Sequence, residues 1–375
     1  SGHQPMSTAM RLLLLSGASS THTIRWANAF VDRGIGTHLV TQHDPVDPPD
    51  PRVHVHRLPH LGGAGYAFNG PRLRALVQEY RIDVINAHYA TGYGLLARWR
   101  GRVPCVLNVC GSDVYDFPEK SALHRAFLRT NLRAADRIIS TSHAMAARTR
   151  AICPGLGSVT VVPFGVDTTC FAPASTGRSA DAPRVVGTVK VLDEKYGIDT
   201  LIDAFARVVR HADRSVRLRI VGDGPQRPEL ERKVQAMGLS ANVDFIGRVP
   251  HARVPDELRK MDVFVALSTL DSESFGVAVI EASACGLPVV VSDAGGLPEV
   301  VRDGVTGHVV KRRDPVAAGE CIGALLRDPV GSERMGRAGR EHVRQVYEWD
   351  RCVDVQITVI QECLAAGGSS TSHGS

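Results

Sequence analysis

The chain contains 375 residues, which is enough for two or three domains of ordinary size and too long for one small module. Its 43% hydrophobic and 22% charged residues exclude collagen-like, disordered and heavily membrane-embedded classes. The net charge of +5 is uneven: residues 1–172 hold 18 Lys and Arg against 11 Asp and Glu, and residues 173–375 hold 26 against 28.

Short β-branched segments alternate with helical patterns through the first half, which is typical of a parallel sheet with crossover helices. Here the predicted strands are Arg11–Leu15, Thr37–Val40, Val53–Leu58, Asp83–Ala87, Val103–Val109, Asp136–Ser140 and Ser158–Val162. The apolar part of the first strand is too short for a membrane span or a signal-peptide core, so we expect a cytoplasmic protein.

The helix predicted over residues 119–136 carries a basic stripe, with Arg125, Arg129 and Arg133 recurring every four residues beside apolar side chains. Such a helix is typical either of peripheral contact with the anionic inner face of a membrane or of an ordinary solvated helix face. Nucleic-acid binding is disfavoured, because aromatic residues make up only 5% of the chain and no base-stacking motif accompanies the arginines.

The alternation stops at residues 173–183, a stretch with two prolines and a glycine that we interpret as a linker. It then resumes with predicted strands Arg184–Lys190, Val216–Val221, Val243–Ile246, Asp262–Leu267, Leu287–Ser292 and Gly307–Val310. Helical patterns follow at Pro315–Arg327, Ser332–Tyr347 and Asp350–Ala365. We predict an α/β protein with two Rossmann-like, doubly wound parallel-sheet domains, over 10–172 and 184–347, facing each other across a cleft. A final helix over 348–366 is expected to pack back on the first domain.

The most informative motif follows the strand Asp262–Leu267 and places Glu273 and Glu281 eight positions apart. Ser274 is a candidate N-cap, and Phe275, Gly276 and Val277 are expected to open a helix whose free N–H groups bind a phosphate. Glu281 lies among small or apolar neighbours, and a buried carboxylate without a partner is costly, so it should have a hydrogen-bonding role.

This run, with Glu273-Ser-Phe-Gly, Glu281 and Gly286-Leu-Pro-Val-Val, resembles the signature of family 4 retaining glycosyltransferases, whose fold is GT-B. Further stretches match in order over nearly all of residues 10–365: Val162-Pro-Phe-Gly-Val-Asp, Val221-Gly-Asp-Gly-Pro, Phe245-Ile-Gly-Arg, Ala294-Gly-Gly-Leu-Pro-Glu and Gly304-Val-Thr-Gly. The sequence is similar to bacterial enzymes that build lipopolysaccharide, capsule and other surface polysaccharides.

The resemblance implies roles for residues of the second domain. Glu281 would hold the ribose hydroxyls of a nucleotide sugar, Glu273 would reach the donor hexose, and Lys190 and Lys195 would neutralise the diphosphate. The residues expected to line the nucleotide pocket follow strands and are Gly222, Asp223, Gly224, Gly247 and Arg248.

In the first domain the candidate residues also follow strands. Gly17 permits close approach of a ligand to the next helix, and His22 and His88 are candidate contacts to acceptor or donor sugar. The resemblance predicts a histidine before Gly-Ser-Asp, where this chain has Cys110. Asp113 is a candidate hydrogen-bond acceptor from the attacking hydroxyl, or alternatively an Asx cap.

The resemblance therefore implies a retaining transferase that moves a hexose or N-acetylhexosamine from a nucleotide sugar, with UDP favoured, to a glycan, lipid-linked or small-molecule hydroxyl. A nucleotide-sugar-binding subunit without turnover is the non-enzymatic alternative. An epimerase of the same architecture would not share this glutamate series, and a nicotinamide oxidoreductase would need G-x-G-x-x-G, which Ser16-Gly-Ala-Ser-Ser-Thr does not supply. We expect no cofactor and no metal, because the eight cysteines are scattered and no Asp-x-Asp motif occurs.

Overall fold

The computed structural model describes residues 9–175, 179 and 181–369. The chain divides into two compact units. The first contains the described residues up to Val162 together with those from Val353 onward, and the second contains Pro163–Cys352. Both units are built from a parallel sheet with helices on its faces, as the alternating pattern predicts. Of the predicted linker, residues 176–178 and 180 lie outside the described residues.

The first unit has a seven-stranded parallel sheet in the order β3-β2-β1-β4-β5-β6-β7. Its strands are β1 (Arg11–Leu15), β2 (Gly36–Thr41), β3 (His54–Arg57), β4 (Val84–His88), β5 (Cys105–Asn108), β6 (Arg137–Ser140) and β7 (Val159–Val161). Its helices are α1 (Thr21–Asp32), α2 (Gly65–Phe68), α3 (Gly70–Glu79), α4 (Gly92–Leu96), α5 (Ser112–Tyr115), α6 (Ala122–Ala134) and α7 (His143–Ile152). The central strand β4 is buried along its whole length, because helices cover both faces of the sheet.

The second unit has a six-stranded parallel sheet in the order β10-β9-β8-β11-β12-β13. Its strands are β8 (Arg184–Val189), β9 (Val216–Val221), β10 (Val243–Gly247), β11 (Val263–Ala266), β12 (Val289–Ser292) and β13 (Gly307–Val310). Its helices are α8 (Ile198–His211), α9 (Arg227–Ala236), α10 (Val254–Leu258), α11 (Val277–Ala284), α12 (Leu297–Val300), α13 (Pro315–Arg327) and α14 (Pro329–Val346). The last helix, α15 (Trp349–Ser369), begins in this unit and continues into the first.

Alternating side chains of β12 show how the second sheet is buried on both faces. Val290 belongs to a core with residues of α8 and α13, whereas Val289 and Val291 belong to a second core with residues of α11. Because consecutive strand residues point to opposite faces, a continuous run of valines fits a sheet that is covered on both sides. All thirteen predicted strands are present, and their ends differ from the predicted ones by no more than two residues.

The boundary between the units lies earlier than the predicted linker, so assigning residues 163–172 to the first domain was wrong. Those residues contact the second unit: Val166 forms a parallel bridge with Glu348, and the guanidinium of Arg340 donates to the carbonyl of Phe171. Long-range hydrogen bonds, rather than local sequence pattern, therefore decide where the second unit begins.

The C-terminal part of α15 packs on the first unit. Asn108 donates to Gln356 across 3.1 Å, Gln356 donates to Asn86 across 3.0 Å, and Arg33 forms an exposed ion pair with Asp354. This helix therefore completes the first unit with residues that lie far away in the chain.

The basic helix α6 begins at Ala122 rather than at the predicted residue 119, because the Ser121 side chain accepts from the His124 N–H and caps the helix there. Two of its arginines have protein partners: Arg125 pairs with Glu119, and Arg129 donates to the carbonyl of Ile152. Membrane contact through this helix stays a prediction. Within the described ranges, no helix combines the length and the apolar composition that crossing a bilayer requires.

Candidate functional site

The carboxyl end of β8 brings a lysine directly to a buried carboxylate. Lys190 follows the last residue of β8, and its Nζ lies 2.6 Å from Oε2 of Glu273. Glu273 is 8% exposed, and the Ser268 hydroxyl, just after β11, donates to the same oxygen across 2.9 Å. A buried carboxylate needs this charge and hydrogen bonding. The structure thus brings together two of the predicted site residues, Lys190 and Glu273.

Lys195 lies nearby, in a short 3₁₀ turn over Glu194–Tyr196. Asp193 caps the turn by accepting from the Lys195 N–H at 3.2 Å, and the Lys195 carbonyl accepts from the Thr269 N–H at 2.7 Å. The ring of Tyr196 has the Lys190 Nζ 4.3 Å from its centroid and the Lys195 Nζ 4.8 Å away. Both predicted lysines therefore lie beside one aromatic ring. The sequence analysis did not identify this tyrosine.

Glu281 is 5% exposed and has a histidine partner. Nε2 of His251 lies 2.7 Å from Oε1 of Glu281, and the His251 ring packs 5.5 Å from that of Phe171. The buried carboxylate of Glu281 is therefore hydrogen-bonded within the protein, and its contact with a ribose stays a prediction. Sequence reasoning missed His251, although its place four residues after the end of β10 could have drawn notice.

Helix α11 begins two residues later than the capping prediction. Its N-cap is Gly276, with φ of 97°, and not Ser274. The Phe275 ring packs in the core against Phe164 and Tyr347, which draws the chain inward before the helix starts. The first free amides of the helix are therefore those at and after Gly276, with the partial positive charge of the helix N-terminus behind them.

Two of the predicted pocket glycines are explained by contacts between backbone segments. A Cβ on Gly222, whose φ is 136°, would overlap the carbonyl oxygen of Lys190, and a Cβ on Gly224 would overlap that of Leu192. The prediction that they accommodate a ligand gains no support, because the loop after β8 occupies that space.

The other predicted pocket residues lie in the same region of the second unit. Asp223 lies 3.6 Å from Arg227, and a Cβ on Gly247, whose φ is 83°, would meet the guanidinium of Arg227. Arg248 is exposed. Their contact with a nucleotide stays a prediction.

A second pair of glycines shapes the loop that carries Glu273. Cβ atoms on Gly295 and Gly296 would overlap the carbonyl oxygens of Glu273 and Ser274, and the Gly296 N–H donates to the Glu273 carbonyl across 2.9 Å. Arg312 fixes the same loop from the end of β13 by pairing with Asp271 at 2.8 Å. The Ala294-Gly-Gly motif therefore positions the glutamate loop.

In the first unit, His88 at the end of β4 belongs to a buried polar network. Its Nδ1 lies 3.2 Å from the Ser16 hydroxyl, which lies 2.7 Å from that of Thr23, and its Nε2 lies 3.3 Å from Oδ1 of Asn86. A ring with the proton on Nε2 satisfies both partners. Burial, together with the nearby charge of His22, lowers the pKa of His88 to about 4. Both ring nitrogens have protein partners, which agrees with a structural histidine, and the contact of His88 with a sugar stays a prediction.

Asp113 accepts hydrogen bonds from the protein backbone, and its predicted catalytic role stays a prediction. It is 2% exposed, and its carboxylate accepts the backbone N–H groups of Ala90, Cys110 and Gly111 at 2.8, 3.1 and 2.8 Å. Burial raises the pKa of Asp113, while these hydrogen bonds act in the opposite direction. The carboxylate ties the loop after β4 to the loop after β5, which agrees with the alternative of a capping aspartate.

Cys110 is half-buried, and burial together with the charge of Asp113 raises the pKa of its thiol well above the usual value. The thiol is therefore a poor replacement for an ionisable histidine.

Gly17 is bordered by His43 and Tyr93, which are joined by a 3.0 Å hydrogen bond between Nδ1 and the phenol oxygen. This aromatic border was not predicted. His22 is half-buried in the first turn of α1, and its contact with substrate stays a prediction.

Among the residues that the structure describes, no three His, Cys, Asp or Glu side chains are grouped so that they could hold a metal ion.

Comparison with known proteins identifies the family of this chain. The family model for glycosyl transferases group 1 matches residues 176–342, and the glycosyl transferase 4-like model matches residues 11–142. A phosphatidyl-myo-inositol mannosyltransferase of Mycobacterium tuberculosis is 30% identical over 381 residues, covering 96% of this chain and 96% of that protein. The chain belongs to the family 4 glycosyltransferases. It is therefore an enzyme of the glycosyltransferase class with two Rossmann-like domains of the GT-B fold.

Other relatives of this glycosyltransferase differ in how much they cover. The Mycobacterium leprae protein of the same name is 33% identical over 225 residues, 59% of this chain and 58% of that protein. A GDP-mannose-dependent α-(1-6)-phosphatidylinositol monomannoside mannosyltransferase of Mycolicibacterium smegmatis is 32% identical over 294 residues, 74% of this chain and 76% of that protein. Among solved structures, a sucrose-phosphate synthase from Thermosynechococcus elongatus has a TM-score of 0.83 at 23% identity, covering 95% of this chain and 100% of that one.

Proposed function

We propose that this glycosyltransferase moves mannose from GDP-mannose to a hydroxyl of an inositol-containing phospholipid, with retention of anomeric configuration. The assignment of a donor-binding site is supported by the ion pair between Lys190 and Glu273, with Lys195 nearby, at the carboxyl ends of the strands of the second sheet. In open α/β sheets ligands bind outside this edge.

The choice of GDP-mannose over the UDP-sugar expected from the sequence is supported by the relatives. A protein similar to 74% of the chain is named as GDP-mannose-dependent, and one that aligns with 96% of it is named for transfer to phosphatidyl-myo-inositol. Glycan and small-molecule acceptors are alternatives that the assay below compares directly.

In the proposed mechanism the side chains act chiefly by position and charge. Glu281, held by His251, binds the ribose hydroxyls, while Lys190, Lys195 and the first amides of α11 surround the diphosphate. The bond from the sugar anomeric carbon to the phosphate oxygen breaks as the acceptor oxygen attacks on the same face. The acceptor proton passes to the departing phosphate. Positive charge around the diphosphate stabilises the leaving group, and the fixed geometry lowers the entropic part of the barrier.

Glu273 has two tasks in this proposal. Its Oε2 is occupied by Lys190 and Ser268, so the other carboxylate oxygen is the atom that we assign to the donor hexose. The pair thereby connects the sugar contact to the diphosphate contact.

Calorimetric titration of GDP, GDP-mannose, UDP and UDP-glucose into the wild type and Glu281→Ala tests the donor assignment. We expect GDP-mannose to bind and the variant to lose about tenfold or more in affinity, because charge-assisted hydrogen bonds to the ribose are removed. Glu333→Ala, at an exposed helix position, is the matched control and should bind like the wild type.

Turnover is then followed by mass spectrometry with phosphatidylinositol vesicles, a soluble oligosaccharide and free myo-inositol as acceptors. Mannosylated phosphatidylinositol, with an α-linkage by NMR, is the expected product. Preferential binding of UDP would refute the donor assignment, and product formation only with a soluble acceptor would refute the lipid assignment.

A further inference from the structure

The ring of Tyr196 lies beside both lysines that are assigned to the diphosphate. The two Nζ atoms lie 4.3 Å and 4.8 Å from the centroid of its ring, so they are within about 9 Å of each other. Lys190 also pairs with Glu273. The ring is thus a contact that both ammonium groups share.

The position of the ring is set by the backbone around it. The 3₁₀ turn is capped by Asp193, and the Lys195 carbonyl is bonded to the Thr269 N–H at 2.7 Å. Gly197 follows with φ of 63°, and a Cβ there would overlap the Leu267 carbonyl oxygen. The turn is therefore fixed to the end of β11, and Tyr196 cannot move far without breaking these contacts.

Lys190 is also held by Glu273, but like-charge repulsion and the loss of rotamer entropy both oppose bringing a second ammonium group close to it. An aromatic face attracts cations through its quadrupole, and a tyrosine ring does so without adding a negative charge. A carboxylate in the same place would compete with an incoming phosphate for the lysines. The ring therefore attracts both cations without adding a carboxylate to that of Glu273, which already pairs with Lys190.

We propose that Tyr196 is a positioning residue that holds Lys190 and Lys195 together as one diphosphate-binding pair. This inference rests on the proposed function, since it assumes that the lysines bind the donor diphosphate. The attraction of the lysines comes from the aromatic ring and not from the hydroxyl, so phenylalanine at position 196 should preserve it.

The experiment compares GDP with guanosine by calorimetry in the wild type, Tyr196→Phe, Tyr196→Leu and Tyr196→Met. We expect the two ring-free variants to bind GDP about three- to tenfold more weakly, with guanosine affinity unchanged. Tyr196→Phe should keep wild-type affinity for both. Thermal unfolding of each variant verifies that it is folded. If Tyr196→Leu does not fold, Tyr196→Met provides the ring-free variant for the comparison.

Two further variants separate this inference from the proposed function. Lys195→Met should lose GDP affinity, whereas Lys260→Met, a lysine paired with Glu257 elsewhere in the unit, should not. If Lys195→Met binds GDP normally, the diphosphate assignment itself is wrong.

If Lys195→Met loses GDP affinity but Tyr196→Leu and Tyr196→Met do not, the proposed function stands and the role of Tyr196 is refuted. It is also refuted if Tyr196→Phe binds as weakly as Tyr196→Leu, or if guanosine binding falls in parallel with GDP binding.

Discussion

Acidification should destabilise the first unit through two buried histidines, His38 on β2 and His88 on β4. The pKa of each is lowered from 6.5 to about 4, in both cases chiefly by burial. For His38 the charges of His54, His56 and Arg11 act in the same direction. A lowered histidine pKa means that the folded state prefers the neutral ring, so the unfolded chain takes up protons first as the pH falls.

The magnitude follows from these values. At pH 7.5 neither state is appreciably protonated, whereas at pH 5.0 the unfolded histidine is charged and the folded one is still largely neutral. Each histidine therefore removes about 2 kcal/mol from the free energy of unfolding between these two pH values, and the two together remove about 4 kcal/mol. The lowered pKa values of His43 and His56 act with the same sign.

Urea unfolding at pH 7.5 and pH 5.0, followed by tryptophan fluorescence, measures this difference, because two of the three tryptophans, Trp26 and Trp99, lie in the first unit. His38→Asn should reduce the pH-dependent loss by about 2 kcal/mol, because one titrating group is removed. His143→Asn, at an exposed position of α7, is the control and should retain the full loss. Equal stability of the wild type at the two pH values would refute the reasoning.

Three other expectations concern the backbone, the amide network and the leaving-group charge. Gly222→Ala should lower the free energy of unfolding by about 3 kcal/mol or more, since its Cβ overlaps the Lys190 carbonyl at a positive φ; a thermal shift measures this, and an unchanged Tm would contradict it. Gln356→Ala should cost about 1–3 kcal/mol by removing the acceptor of the buried Asn108 side-chain amide, and faster amide exchange in β5 would report it. Turnover should persist in excess EDTA because lysines supply the charge at the diphosphate; its abolition would show that a metal is needed.

The strands were predictable because most are short apolar or β-branched runs bounded by glycine, proline or polar residues, which suit strands buried on both faces of a sheet. The start of the second unit was not predictable, because it depends on Arg340 bonding to a carbonyl 169 residues away. No local pattern records a contact of that kind.

The candidate site was predicted in part. The sequence placed Lys190, Glu273 and Glu281 after strands of one sheet, and parallel strands end at the same edge. It could not reveal that His251 reaches Glu281 from 30 positions away. It also indicated that Gly222 has conformational freedom, but not that a neighbouring carbonyl requires it.

The close approach of Gly222 and Gly224 to the loop after β8 has a consequence for redesign. The carbonyls of Lys190 and Leu192 occupy the space that side chains at these glycines would need, and the Leu192 N–H donates to the Asp223 carbonyl. The two loops are therefore one interlocked surface formed by distant parts of the chain. A chimera intended to change nucleotide preference must transplant both loops from the same parent, because either loop alone would meet an ill-fitting partner.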